Sequence, residues 1–352
     1  MLKIAKSFRL ASFSLFGKQK MFIATSSFDK VFTERHVKEY FENGATLVEN
    51  VLTEQEVDQM IAETERLVKQ NDIFKKIVYF KSGEDSRGLD FIETGDKIHF
   101  FFEENVFDKN GNLTVPKEHA LNKIGHAMHD LDPFYQKFSY QPLYKYILQQ
   151  IKYQAPSLVQ SMYIYKNPKV GAQVILHCYF VNLDRNKQTN KQISTQNLGY
   201  LNTAMVCPHT DNTYLITEPK LSCVGFWFAL HDATKENGCM WGVSGSQKES
   251  TKRFMYRNAA GDDVLYEGEE KKYELEKAVP LEVKRGSMLV FNGDYVHYSE
   301  HNKSKYPRHA LTLHFVETAN NIKWHSRNWL QRNPNLPFLD YNKQVEQLNG
   351  KI

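Results

Sequence analysis

The run Val206-Cys207-Pro208-His209-Thr210-Asp211-Asn212-Thr213 carries an imidazole and a carboxylate two positions apart. In an extended chain, side chains alternate between faces, so His209 and Asp211 are expected on the same side of a strand. Two such groups hold a divalent metal when a third ligand arrives from elsewhere. His297, which ends the stretch Gly286-Ser287-Met288-Leu289-Val290-Phe291-Asn292-Gly293-Asp294-Tyr295-Val296-His297, is the downstream candidate. Two imidazoles and one carboxylate on one face of a metal, with the other positions open, form the ligand set of non-haem Fe(II) oxygenases. An isolated H-x-D pair is more often a surface histidine beside a turn aspartate, so its surroundings decide the reading.

Those surroundings include Ser299, two residues after His297, and Arg308, eleven after it. A guanidinium grips a carboxylate through two parallel N–H bonds, a geometry lysine does not supply. Taken singly, a serine or an arginine is usually a solvated surface residue. In this order they suit a 2-oxoglutarate site, with the keto-acid end of the cosubstrate on the metal and its far carboxylate on a cation. A zinc hydrolase would use similar metal ligands, but it has no need of the Ser299 and Arg308 pair. His126 and His129, three apart, lack a neighbouring carboxylate motif and read as surface or core histidines.

Such a site needs a rigid frame, and the second half of the chain supplies strand signals. Val224 to Leu230, Ser287 to Phe291 and Ala310 to Val316 are short apolar runs, punctuated by Asn237-Gly238 and by the small residues Gly242 to Ser246. This spacing predicts a sandwich or barrel. The first half mixes elements. Val37, Tyr40 and Phe41 predict a helix ended by Asn43-Gly44, followed by a strand over 45–51. Thr53-Glu54-Gln55-Glu56 forms a capping box before the apolar face of Val57, Met60, Ile61, Thr64 and Val68. Residues 97–103 read as a strand, 121–129 and 143–151 as helices, and 157–165 as another strand. Residues 324–337 read as an aromatic-anchored ordered stretch. The polar stretch between Asn182 and Asn197 interrupts two strand-like segments, so 175–206 reads as an insertion, either a surface loop or a translated intron.

Composition limits the alternatives. The chain has 352 residues, 41% apolar and 13% aromatic, which is enough for a large core. A net charge of +4 without a basic block gives no reason to expect nucleic-acid binding. No run approaches the roughly 18 apolar residues needed to span a bilayer, so stable membrane insertion is not expected. The four cysteines lack C-x-x-C spacing and read as reduced thiols. Residues 1–20 are basic and acid-free, which suits either a presequence or an extension ahead of Met21. The end Asn349-Gly350-Lys351-Ile352 is not a Ser-Lys-Leu peroxisomal address. A cytosolic protein is expected, with mitochondrial import as the alternative.

Several longer stretches resemble the phytanoyl-CoA dioxygenase family. They include Thr94-Gly95-Asp96-Lys97-Ile98-His99-Phe100-Phe101-Phe102-Glu103, Asn122-Lys123-Ile124-Gly125-His126-Ala127 and Val159-Gln160-Ser161-Met162-Tyr163-Ile164. The similarity continues through Pro208-His209-Thr210-Asp211, Asp232-Ala233-Thr234-Lys235-Glu236-Asn237-Gly238-Cys239-Met240-Trp241 and Asn328-Trp329-Leu330-Gln331. The resemblance implies a mainly β fold with flanking helices, a double-stranded β-helix or jelly roll. The catalytic domain would span 31–340, after an N-terminal extension (1–30) and before a C-terminal tail (341–352). It places Fe(II) on His209, Asp211 and His297, and 2-oxoglutarate against Lys123, Met162, Trp227, Ser299 and Arg308. Of these five contacts, Lys123, Met162 and Trp227 come from the resemblance alone. The implied reaction consumes O2 and 2-oxoglutarate, releases succinate and CO2, and hydroxylates a small molecule of acyl-CoA or lipid-like kind. Asp211 occupies the ligand position that a halide takes in related halogenases, which favours hydroxylation. A catalytically impaired 2-oxoglutarate-binding protein on the same fold is the alternative. Family members run almost directly from the turn matching Gly171-Ala172-Gln173-Val174 into Pro208-His209, so 175–206 departs from their pattern.

Overall fold

The computed structural model describes residues 27–80, 87–103, 106–168, 206–269 and 272–350. The expected N-terminal extension up to residue 26, and the expected insertion up to residue 205, lie outside the described residues.

Two sheets frame the interior. The larger has eight strands, in the spatial order Ala45–Val48, Met288–Asn292, Val224–Ala229, Ala310–Glu317, Pro156–Ile164, Leu121–His126, Ile98–Phe102 and Val78–Tyr79. All neighbours run antiparallel except the last pair. The smaller sheet has four, in the order Val279–Leu281, Met240–Gly242, His297–Ser299 and Val206–His209. Mainly β architecture with flanking helices, as expected, is what forms.

Period-two alternation explains how the central strands serve two masters. In Val224–Ala229, Val224, Phe226 and Phe228 join the main apolar core on the helix side. Trp227 and Ala229, on the opposite face, belong to a separate apolar cluster on the inner side. In Ala310–Glu317, Leu311, Leu313 and Phe315 likewise enter the main core. Thr312 and His314 line an interior cavity instead. Both faces are covered, so both strands are buried along their whole length.

The helical segments seal the outer face. Thr53 accepts from the Glu56 amide at 3.2 Å while Glu56 accepts from the Thr53 amide at 2.8 Å, the expected capping box. Helix Glu54–Gln70 then buries Val57, Met60, Thr64, Leu67 and Val68. Residues 341–352, expected as a tail, contain helix Tyr341–Asn349, and Tyr341 and Val345 insert into the main core.

Residues 121–129 do not form the expected helix. Leu121–His126 is a strand between Ile98–Phe102 and Pro156–Ile164, and a short helix, Met128–Leu131, follows. A strand covered on both faces loses the alternation that reveals strands, and over six residues its apolar spacing also matches a helix. Gly125 carries the clearest local signal, since a Cβ there would lie 3.3 Å from Met162 Cγ on the next strand. His126 and His129 are fully buried core histidines. Cys223 and Cys239 are buried free thiols, whereas Cys207 is disulfide-bonded, against the expectation of reduced thiols throughout.

Candidate metal centre and its cavity

His209 and His297 are direct cross-strand partners in the smaller sheet, which brings their ring centroids to 4.3 Å. The strand Val206–His209 ends at His209, and Asp211 opens a 3-10 turn over Asp211–Thr213 instead of continuing the strand. Thr210 between them keeps extended dihedrals, so the alternation still carries Asp211 to the side of His209. The turn is latched in place. The Asn212 amide donates to the Gly293 carbonyl at 2.9 Å, and its side chain donates to Asp294 Oδ1 at 2.8 Å. Gly293 and Asp294 lie just before His297, so the latch ties both ligand-bearing segments together.

One ligand atom each from His209, Asp211 and His297 lies within 4.8 Å of the other two. The imidazoles are correctly presented for a cation. His209 Nδ1 lies 2.8 Å from the Cys207 carbonyl, and His297 Nδ1 lies 3.0 Å from the Tyr295 carbonyl. A carbonyl only accepts, so each Nδ1 carries a proton, and Nε2 is the nitrogen left to face a cation. Those Nε2 atoms face Asp211 Oδ1 at 3.6 and 3.9 Å. Burial holds His297 down at about 4, helped by His209. Burial pushes Asp211 upward, but His314, His209 and His297 overcome it and hold the carboxyl well below its usual range. Two imidazoles turned by Nε2 toward an ionised carboxylate suit Fe(II) with open positions.

His314 also belongs to this site, although the sequence reading did not single it out. Its Nε2 lies 3.2 Å from Asp211 Oδ2, the oxygen turned away from the two ligand histidines. Gly225 makes room beneath. A Cβ there would come within 2.6 Å of the Phe291 ring and 3.3 Å of Asp211 Oδ2. His314 was legible in principle, since 308, 310, 312 and 314 share one face of the run that Arg308 opens.

The five expected cosubstrate contacts all line one cavity together with His209, Asp211 and His297. Met162, Thr312 and Trp227 form one row across three adjacent strands, by register. Ser299 follows His297 and is buried. Arg308 precedes its strand and is 2% exposed. Its Nη2 donates to the Gly238 carbonyl at 3.0 Å, its guanidinium carbon lies 5.4 Å from the Trp227 ring centroid, and its Nε is buried with no partner. Arg308 has no carboxylate partner among the described residues, and burial lowers it to about 10. Lys123 stands apart, toward the far strands of the larger sheet. Its ammonium lies 3.5 Å from the Phe80 ring centroid and 4.8 Å from that of Phe101. The remaining wall is mostly apolar, with Phe80, Phe91, Leu215, Met255 and Trp329.

A jelly-roll frame with two histidines and an aspartate turned into a buried cavity defines the architecture of the iron- and 2-oxoglutarate-dependent oxygenases. The chain belongs to the phytanoyl-CoA dioxygenase family, whose model matches residues 40–310, and is an oxygenase of that iron- and 2-oxoglutarate-using kind. It is 35% identical over 300 residues to phytanoyl-CoA dioxygenase 1 of Oryza sativa subsp. japonica, covering 85% of this chain and 94% of the relative. It is also 35% identical over 317 residues to the phytanoyl-CoA dioxygenase domain-containing protein 1 homolog of Caenorhabditis elegans, covering 87% and 99%. Among solved structures it matches the epimerase SnoN in complex with Fe3+, alpha ketoglutarate and nogalamycin RO. That match has a TM-score of 0.54 at 15% identity, covering 87% of this chain and 92% of SnoN. At that identity the match speaks for the fold alone. No helix among the described residues is long and apolar enough to cross a membrane.

Proposed function

We propose that this chain hydroxylates a small, largely apolar molecule, with His209, Asp211 and His297 holding Fe(II) and the Arg308 end of the cavity holding 2-oxoglutarate. One observation carries the reading. The three ligand atoms open into the same cavity as a buried guanidinium that has no acid partner among the described residues. A buried cation left unpaired is costly, and an incoming carboxylate offsets that cost. When bound, iron with O2 and 2-oxoglutarate supplies an oxidation in which succinate and CO2 leave and a substrate C–H becomes C–OH.

The chain's own residues do the positioning. The Nδ1–H bonds to Cys207 and Tyr295 fix the ring orientation of the ligand histidines. Ser299 and Arg308 take the distal carboxylate, with Trp227 and Met162 packed along the cosubstrate, and Lys123 extends the cavity's positive charge. Phe80, Phe91, Leu215 and Trp329 exclude water and favour a substrate with an apolar body. An acyl-CoA or lipid-like compound fits that chemistry. The catalytic domain spans 31–340 with helix Tyr341–Asn349 packed into its core, and works in the cytosol. A fusion of residues 1–30 to a fluorescent protein tests the compartment, and mitochondrial labelling overturns it.

The deciding experiment is a metabolite screen with Fe(II)-loaded protein, read as O2-dependent succinate release. Turnover that disappears in Asp211→Ala supports the reading. Binding of 2-oxoglutarate without succinate release under any condition replaces it with the catalytically impaired alternative.

A further inference from the structure

Beside Arg308, at the end of the cavity where the distal carboxylate is placed, lies a second buried cation that the sequence reading did not assign. Lys166 is 2% exposed and lines the cavity. Its Nζ donates to Ser299 Oγ at 2.9 Å and to the Glu300 carbonyl at 2.6 Å. Its own carbonyl accepts from the Arg308 amide at 3.1 Å and from Asn302 Nδ2 at 2.9 Å. The two residues are therefore fastened to each other through the backbone, and Lys166 is tied as well to the strand that carries Ser299.

Gly238 shows that the arrangement is built. It adopts a φ of +80°, and a Cβ there would fall 2.5 Å from the Glu300 carbonyl oxygen and 2.9 Å from Lys166 Cδ. Any side chain at 238 would collide with the bonded Lys166, and the Gly238 carbonyl is the acceptor for Arg308 Nη2. One residue thus makes room for the lysine and holds the arginine. Burial, and then Arg308, push the Lys166 ammonium well below its usual range, while Glu103 and Glu300 pull the other way. A carboxylate bound beside both groups favours the charged form of each, so the subsite gains its ammonium as it gains its anion.

The Ser299 hydroxyl completes the argument. It has one proton and two acceptor sites. As an ammonium Nζ only donates, so Ser299 Oγ then accepts from it and keeps its single proton for another partner.

We propose that Lys166 is a positioning residue of the cosubstrate subsite, which adds positive charge beside Arg308 and turns the Ser299 proton toward the distal carboxylate. This rests on the reading of the cavity as a 2-oxoglutarate site. The subsite then discriminates strongly in favour of a keto acid with a second carboxylate.

The test measures equilibrium binding by calorimetry to protein loaded with redox-silent Zn(II). The probes are 2-oxoglutarate and 2-oxopentanoate, which has a methyl group in place of the distal carboxylate. Lys166→Gln, which keeps a donor and removes the charge, is expected to weaken 2-oxoglutarate about tenfold and leave 2-oxopentanoate unchanged. The loss in Lys166→Gln combined with Ser299→Ala is expected to be less than the product of the single losses. A 2-oxoglutarate affinity within twofold of wild type, or equal losses for both keto acids, overturns the proposal. Wild-type protein that fails to bind 2-oxoglutarate overturns the underlying reading instead. Should Lys166→Gln not fold, a crystal structure of the wild-type complex decides. Ser299 Oγ within hydrogen-bond reach of both Lys166 Nζ and the carboxylate supports the proposal, and a hydroxyl turned away from either sinks it.

Discussion

Asp211 is held from two sides. Oδ1 faces the ligand histidines, and Oδ2 meets His314 at 3.2 Å. Partners of this kind orient a ligand carboxylate, and their loss lowers metal affinity by about 10–100-fold. His314→Leu is accordingly expected to weaken Fe(II) binding in that range, while His314→Gln, which retains a donor, recovers most of it. Equal affinity in all three proteins, measured by competition with a chromophoric chelator, removes His314 from the site. Asp211→Ala should lose bound iron and succinate release with an unchanged circular dichroism spectrum, because it deletes a ligand and no packing. Wild-type turnover in that variant would show the triad to be misassigned. Arg308→Lys keeps the charge but loses the planar fork, and its KM for 2-oxoglutarate should rise at least about tenfold. An unchanged KM separates Arg308 from the cosubstrate. That His209, Asp211, His297, Ser299 and Arg308 share one cavity was legible, because metal and carboxylate chemistry restrict residue types and spacing. Lys166 and His314 were not singled out, because their roles come from partners more than 100 positions away in the chain, Ser299 and Asp211.

The strands set how finely those residues are placed. Val224–Ala229 presents Phe226 and Phe228 to the main core, Trp227 to the cavity and Gly225 to Phe291 and Asp211, so one strand serves packing and site together. Gly225→Ala is therefore expected to do double damage. The new methyl displaces the Phe291 ring, costing about 1–3 kcal/mol as overpacking does, and disturbs Asp211 from below. Urea unfolding and iron affinity should fall together, and a change in stability with iron affinity intact would mean the two are uncoupled. Helices Glu34–Asn43, Glu54–Gln70 and Pro142–Gln150 were legible from local chemistry, as Thr53 with Glu56 shows. Leu121–His126 was misread, because a strand flanked on both sides and covered on both faces carries no alternation. Asp211 was placed in a strand because its side follows the same parity in the extended Thr210 link as in a true strand.

At the scale of the molecule, the interior is unusually rich in neutral histidine. Burial is the largest cause in each case. It holds His99 and His231 at about 4, and His126 and His309 well below the usual 6.5. The unfolded chain binds protons at these positions that the folded chain refuses, so stability present above about pH 6.5 is lost as pH falls toward 4. Each fully buried imidazole contributes a slope of up to about 1.4 kcal/mol per pH unit across that window. Urea midpoints at pH 7.5, 6 and 5 should descend steadily, and a flat profile would mean these groups are not neutral in the folded protein. One consequence of the topology concerns assembly. Among the described residues, His209 stands on an edge strand whose one neighbour in its sheet carries His297, 88 positions later in the chain. The metal site can close only after most of the chain between them has folded, so iron acts as a late staple on an edge strand. Withdrawing the ion should therefore fray the fold first at residues 206–213, seen as faster amide hydrogen exchange there, well before the eight-stranded sheet begins to open.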